Sequence, residues 1–231
     1  MKKRDLTVSS FNCRSLKSSI VELCELCDIS DFVFVQEHWL LPNELGQINN
    51  IHSKFISTSK SAVYISHSIL VGRPYGGTAI LYRKELSNCI SLVETNDPRI
   101  CALRFLSNIG PILFVCVYMP ADTGDAECFE NYIDTCAKIS ALYTDSDAVH
   151  LVVAGDFNCQ VGSRFYDVFL SLAEENNLHL ADIMRLNNVF TYCSDDGLRS
   201  SWLDHCSCSN GMNELISNID VLVNFVTSDH K

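Results

Sequence analysis

An unbroken apolar run, Leu151-Val152-Val153-Ala154, ends abruptly in Gly155-Asp156-Phe157-Asn158. Such a run reads as a buried strand, and its polar end has to emerge at a sheet edge. Side chains alternate along an extended segment, so Asp156 and Asn158 are expected on the same side of the chain. A carboxylate at that spot takes a proton from water or holds a metal. An amide two residues on positions the water or hydrogen-bonds a phosphate oxygen. Taken alone, a Gly-Asp pair after a strand also serves as a plain turn. The weight of the segment depends on partners elsewhere in the chain.

Length and composition set the frame. The 231 residues suit one large α/β or α+β domain, or two small ones. No repeat, low-complexity tract or linker divides them, so a single domain over residues 1–231 is expected. Apolar residues make up 47%, enough for a substantial core. No apolar run approaches the ~18 residues that a membrane span requires. Met1-Lys2-Lys3-Arg4-Asp5 leads into a strand-like segment without the apolar core of a signal peptide, so an intracellular, non-membrane protein is expected. Of the twelve cysteines, Cys101 and Cys116 fall in strand-like runs, and Cys24, Cys27, Cys128 and Cys136 in helix-like ones. Buried thiols in a reducing compartment fit this better than disulfides. Cys24-x-x-Cys27 has no second pair at zinc-site spacing and reads as core packing. The net charge of −11 argues against nonspecific nucleic-acid binding. Arg14, Lys17, Arg73, Arg99, Arg164 and Arg199 nevertheless fall in predicted loops, where a local positive rim is as plausible as scattered solubilising charge.

The pattern predicts strands over residues 6–11, 32–35, 78–82, 100–106, 112–118, 151–154, 202–208 and 219–224. Ser15 or Ser18 is expected to cap a helix through Ile20, Leu23, Cys24 and Cys27. Further helices are expected over residues 125–143 and 165–176. Residues 42–72 show little periodicity and read as a long loop-rich connection. Strands and helices mix irregularly with hairpins between, which disfavours a doubly wound parallel sheet. Two sheets packed face to face with helices outside fit better.

Polar residues recur where these strands end: Asn12, Glu37, Tyr118, Asp156 with Asn158, Asp204, and the closing Ser228-Asp229-His230. If the strand ends meet at one rim, they assemble the oxygen ligands, base and charge-stabilising donor of metal-assisted phosphodiester hydrolysis. Each residue alone has a bland reading. Glu37 is then a surface residue, Tyr118 a strand aromatic and His230 a frayed terminus. Six segments in order favour the functional one. His38, His52, His67, His150, His179 and His205 lack such a context and read as structural or surface residues, with His205 facing away from Asp204.

The ordered set Asn12, Gln36-Glu37, Val117-Tyr118-Met119-Pro120, Gly155-Asp156-Phe157-Asn158, Leu203-Asp204-His205 and Ser228-Asp229-His230 resembles the endonuclease/exonuclease/phosphatase superfamily. Within it, Asn12-Cys13-Arg14-Ser15-Leu16 and Gln36-Glu37-His38-Trp39-Leu40 look like the apurinic-type endonuclease domain of non-LTR (LINE-like) retrotransposons. The resemblance implies a four-layer α/β sandwich and a Mg²⁺-dependent (or Mn²⁺-dependent) DNA endonuclease. Glu37 would hold the metal, helped by Asp229. Asp156 would deprotonate the attacking water, and Asn158 would position that water or a phosphate oxygen. Asn12 would hydrogen-bond Asp156 or the metal shell, and Tyr118 would contact the scissile phosphate. His230, oriented by Asp204, would stabilise phosphoryl charge. A carboxylate on the far imidazole nitrogen fixes the tautomer and favours the imidazolium. Arg14, Thr191 and Ser201 would touch the DNA. The domain would nick double-stranded target DNA in the nucleus, and the freed 3′-hydroxyl would prime a reverse transcriptase domain of the same polyprotein, from which this monomeric domain would be cut. Two positions depart from repair-type members. Arg14 stands where an acidic residue is usual, and Ala121 follows Met119-Pro120 where an Asn is usual. A phosphatase acting on inositol phosphates or phospholipids, a repair-type apurinic endonuclease, and a binding module with a decayed site are the alternatives. The DNA target itself is not legible; residues 42–72 and 208–216 are the candidate readers.

Overall fold

Val8–Asn12 (β1) and the fully buried Phe32–Gln36 (β2), apolar up to its closing Gln36, form a parallel pair, joined by helix Ile20–Ile29 (α1). The computed structural model describes residues 5–63, the backbone of 65–66 and 69–70, and residues 72–223 and 227–231. The chain continues through Phe55–Lys60 (β3), the short pair Ile65–Ser66 (β4) and Ile69–Leu70 (β5), Thr78–Arg83 (β6) and Ile90–Val93 (β7). Ile100–Ser107 (β8) and Gly110–Tyr118 (β9) make a hairpin, followed by helix Ala126–Asp145 (α2), strand His150–Asp156 (β10) and helix Arg164–Glu175 (α3). Leu178–Leu180 (β11), Ala181–Arg185 (α4), the small hairpin Tyr192–Cys193 (β12) and Ser200–Ser201 (β13), Asp204–Ser209 (β14) and Asn210–Asn213 (α5) complete it.

Two mixed sheets result, in the orders β1-β2-β6-β3 and β11-β14-β10-β9-β8-β7. Their inner faces meet through aromatic rings. Phe32 packs on Phe105 and Phe114 at 5.4 and 4.7 Å between centroids, and Phe34 packs on Phe114 at 5.9 Å. The outer face of the first sheet is covered by α1, where Leu23, Leu26 and Cys27 join Phe11, Val33 and Val35. The outer face of the second is covered by α2 and α3, where Tyr132, Ile139, Phe165 and Phe169 join Val115, Val117 and Val153. Helix, sheet, sheet, helix is the four-layer α/β sandwich expected from the strand pattern. Among the described residues no helix is long and apolar enough to cross a membrane.

Four local expectations are corrected. Neither Ser15 nor Ser18 caps α1. The cap position is Ser19, and its hydroxyl leaves the helix to donate to the Cys13 carbonyl at 2.8 Å. Residues 42–72 are not a plain connection, because Pro42–Asn50 is a 3-10 helix and β3 is the outer strand of the first sheet. Only one side of an edge strand pairs, so the polar Ser57-Thr58-Ser59-Lys60 is tolerated there and leaves no apolar signature. Residues 64, 67, 68 and 71 lie outside the described residues. The late strand expected over 219–224 is absent from 219–223, which take no regular structure, and Asn224 lies outside the described residues. The strand expected from Trp202 begins at Asp204. The edge strand β7 was not anticipated from sequence either, since Leu92 is exposed and the strand spans four residues.

Register decides what gathers at the rim. Asn12 pairs with Gln36 at the ends of β1 and β2. Asp156 pairs with Tyr118 across the parallel β9–β10 ladder and with Asp204 across the antiparallel β10–β14 ladder. Parallel strands that end together, beside an antiparallel strand that starts there, place all five polar ends on one edge.

Candidate active site

Gly155 makes the approach to that edge possible. Its φ is +149°, and a Cβ built on it would lie 2.1 Å from the Val117 carbonyl oxygen. The two central strands are therefore closer than any side chain permits, and Asp156 emerges directly beside Tyr118. Asp156 is 1% exposed. Its Oδ1 accepts the Asn158 backbone N–H at 2.9 Å, and its Oδ2 accepts from Asn12 Nδ2 at 2.9 Å. The same Asn12 amide nitrogen also donates to Glu37 Oε1 at 2.9 Å. One amide thus bridges two carboxylates from the two different sheets. Burial pushes the Asp156 carboxyl above its ordinary range, against the pull of His230.

Asn158 departs from the extended geometry expected of it. Its φ is +48°, so the chain turns after Asp156, and Asn158 Nδ2 donates to the Met119 carbonyl at 2.9 Å. The left-handed conformation, which Asn tolerates better than most residues, redirects the amide to brace the end of β9. Asn158 therefore acts on Asp156 through its backbone N–H.

His230 is built from the other end of the chain. Its Nδ1 lies 2.7 Å from Asp204 Oδ2, and its Nε2 lies 3.7 Å from Asp156 Oδ2. Burial would lower its pKa, but the carboxylates of Asp204 and Asp156 outweigh that and hold it up at about 10. The raised pKa favours the imidazolium, with Nε2 turned toward Asp156. Ser228 locks this end in place, donating to the Asn12 carbonyl at 2.7 Å and accepting the His230 N–H at 3.1 Å. Tyr192 packs edge-on against the imidazole at 5.2 Å.

Glu37 sits on a loop of left-handed residues, with φ +55° at Glu37 and +58° at Trp39. Gly76 and Gly77 underpin it, their carbonyls accepting the N–H groups of Trp39 and Glu37 at 3.0 and 2.9 Å. Trp39 Nε1 donates to Glu37 Oε2 at 3.0 Å, and the Tyr118 phenol hydrogen-bonds the same carboxylate. Burial and the Glu37 and Asp156 charges raise the Tyr118 pKa, so the phenol keeps its proton. Arg99 lies over the Tyr118 ring at 5.6 Å.

Arg14 donates its backbone N–H to Asn12 Oδ1 at 3.2 Å, and its guanidinium pairs with Asp195 at 2.6 Å and Asp229 at 3.3 Å. Thr191, expected to touch DNA, is 4% exposed, and its hydroxyl oxygen accepts the N–H groups of Leu203 and Asp204 at 3.0 Å each. It holds the start of β14 rather than facing a ligand. Ser201 is half-buried in β13, where its carbonyl accepts the Thr191 N–H.

Sequence reasoning missed Trp39 and His38 as site supports. His38 is 1% exposed, with Nε2 2.9 Å from the Lys60 carbonyl and Nδ1 accepting the Leu40 N–H at 3.0 Å. It pins the Glu37 loop to β3. Its adjacency to Glu37 in sequence was the only available signal. Burial pulls its pKa from 6.5 down to about 4. The unfolded ring takes up a proton first as pH falls below about 6.5, so the contribution to stability is lost between there and about 4. Linkage puts it at roughly 3 kcal/mol. Urea midpoints should fall more steeply over that window in the wild type than in His38→Gln; parallel curves would refute the role. His205 is the opposite case. It lies 2.7 Å from Asp182 Oδ2 and 2.9 Å from the Cys159 carbonyl, on the far face of β14 among Phe157, Tyr166 and Phe169. It is structural, as its alternation with Asp204 predicts.

The donor set fits a hard divalent cation. Asp156, Asp204 and His230 each offer a ligand atom within 4.8 Å of one another. Asp204 and His230 already share a short hydrogen bond, and a protonated ring repels a cation. The Glu37–Asp156 side, where two carboxylates converge on one neutral amide, is the better place for one.

A layered sandwich whose rim gathers a histidine paired with Asp204 and two carboxylates on one shared amide carries the donor types that phosphoester hydrolysis uses. The chain belongs to the Endonuclease/Exonuclease/phosphatase family, whose profile matches residues 9–230. No curated protein matches it. Among solved structures, it resembles the endonuclease domain of TRAS1, a telomere-specific non-LTR retrotransposon, with TM-score 0.69 and 15% identity over 97% of this chain and 94% of that one. An AP endonuclease from Leishmania major aligns with TM-score 0.72 and 12% identity over 96% and 84% of the two chains. A mannosyl-6-phosphatase from Bacteroides thetaiotaomicron aligns with TM-score 0.62 and 17% identity over 89% and 86%. At such identities the likeness is one of fold.

Proposed function

We propose that the protein is a Mg²⁺-dependent DNA endonuclease of the non-LTR retrotransposon type. It nicks one strand of a duplex to leave a 3′-hydroxyl and a 5′-phosphate, and the 3′-hydroxyl primes synthesis by a linked reverse transcriptase. The observation that carries the hydrolytic reading is the Asn12 amide, 2.9 Å from both Glu37 and Asp156, beside an imidazolium held by Asp204. The family match and the fold shared with the TRAS1 domain over nearly both whole chains support the choice of reaction. A groove of about 260 Å³ next to Glu37 supports a polynucleotide substrate. It is lined by Arg73 and by Lys17, which pairs with Glu44 at 3.4 Å and could turn to a backbone phosphate, and by Trp39, which offers a ring to a base.

In this reading Asp156 accepts the proton of the attacking water, and its raised pKa makes it a stronger base than an exposed carboxylate. The water oxygen bonds to phosphorus as the bond to the 3′-oxygen breaks, and the departing 3′-oxygen takes a proton from solvent. His230 donates toward the phosphoryl oxygens, with Asp204 holding its tautomer. Tyr118, still protonated, donates to the phosphate from the other side. Asn12 keeps Asp156 and Glu37 in register. Glu37, with Asp156 beside it, would hold a divalent ion, which would supply Lewis-acid neutralisation of the phosphoryl charge. With so few basic residues, the isolated domain is expected to bind DNA weakly and with strong dependence on salt.

Purified protein should convert supercoiled plasmid to open circles with Mg²⁺, stop on chelation, and leave ends that a polymerase extends. Phosphate release from inositol phosphates with no nicking would decide for a phosphatase instead.

A further inference from the structure

We propose that the Arg14 guanidinium is a built-in cation that occupies Asp229, so that the centre takes one divalent ion, on the Glu37 side. This rests on the metal-dependent reading above but concerns only which carboxylates remain free to hold the ion.

Three observations converge on Arg14. Its φ is +46°, a left-handed conformation that an unbranched side chain adopts at a cost and that turns the residue back over the rim. From there its backbone N–H donates to Asn12 Oδ1, which fixes the amide so that Nδ2 faces Glu37 and Asp156. Its guanidinium spans two carboxylates: it is bidentate on Asp195 at 2.6 and 3.0 Å and lies 3.3 Å from Asp229 Oδ2. Planar two-point pairing of this kind is the strong form of an ion pair. The charges of Asp195 and Asp229 raise the Arg14 pKa further, so the cation is permanent.

Asp229 is thereby changed in role. Its backbone carbonyl accepts the Cys193 N–H at 2.8 Å, and its side chain is only 14% exposed. Asp229 shares the one guanidinium with Asp195 and keeps part of its charge, but a divalent ion placed on its Oδ2 meets the Arg14 cation 3.3 Å away. Glu37 and Asp156, in contrast, share only neutral donors and one imidazolium. The earlier expectation that Asp229 assists Glu37 in holding the metal is replaced by one in which Asp229 anchors Arg14. The same contacts tie the β12–β13 hairpin, through Asp195, to the loop after β1, so one residue sets both the amide orientation and the hairpin position.

Mn²⁺ counting by electron paramagnetic resonance, with titration calorimetry, tests this on the purified chain without any nicking assay. The wild type should bind one Mn²⁺ per chain. Asp229→Asn should retain it within about threefold, and Glu37→Gln should weaken it at least tenfold. Arg14→Ala, and Arg14→Asp if it folds by circular dichroism, should take up a second, weaker Mn²⁺. Two ions in the wild type, loss of the ion in Asp229→Asn, or one ion in a folded Arg14→Ala would overturn the proposal while leaving the nuclease reading intact. No Mn²⁺ binding together with no nicking would overturn both.

Discussion

Asp156→Ala is expected to lower the plasmid-nicking rate by on the order of 10³-fold or more, with the fold retained. Removing the group that takes the water proton costs roughly 10²–10⁴ on its own. In this site the loss spreads, because Asp156 also offsets His230 and receives the amide that aligns Glu37. His230→Ala should fall in the same range, since it removes the donor on the developing phosphoryl charge. The double variant should be little worse than either single one, because the groups act as a unit. Rates from single-turnover nicking, with circular dichroism and melting as controls, measure this. Nicking that stays within tenfold of the wild type in a folded Asp156→Ala would sink the assignment of base.

Gly155→Ala is expected to destabilise the protein by roughly 3–5 kcal/mol and to abolish activity with it. The added methyl would stand 2.1 Å from the Val117 carbonyl oxygen and 3.0 Å from the Val117 carbonyl carbon and amide nitrogen. These are backbone atoms of the neighbouring central strand, so no side-chain rotation relieves the clash. Either β9 and β10 separate, breaking the ladder that sets Asp156 opposite Tyr118, or the chain fails to fold. The urea midpoint of the purified variant reports this directly. A midpoint equal to that of the wild type would show that the strand spacing is softer than the register implies.

The strand ends were readable because their chemistry is local. The apolar run through Ala154 closing on Gly155-Asp156, and Phe32 to Val35 closing on Gln36-Glu37, carry their burial and their polar termini in consecutive residues. Helices α2 and α3 were readable for the same reason, as periodic apolar faces, and the structure adds that Asp125 and Ser163 cap them. Edge strands β3 and β7 were not, since one-sided pairing permits polar or exposed residues with no pattern. The expected strand at 219–223 shows the converse error: apolar residues pack without forming a ladder, and Ile219 adds to the core between the sheets from an irregular segment. Asn158 was misread because alternation holds only while the backbone stays extended, and a left-handed turn intervenes. Thr191 was misread because a hydroxyl near a site looks alike whether it meets a ligand or two backbone N–H groups.

By itself, the sequence determined the layered class of fold, the family and the set of polar residues that end its strands. Each of these follows from short-range periodicity and from the order of motifs along the chain. Only the tertiary structure decided how those residues divide the work. Asn12 serves two carboxylates that are 25 and 144 positions away, Ser228 fastens the far end of the chain to Asn12, and Arg14 lies 3.3 Å from Asp229. Periodicity assigns a side chain to a face but not to a neighbour. The neighbours arise from the register of strands in two different sheets, and that register is set by packing across the whole sandwich.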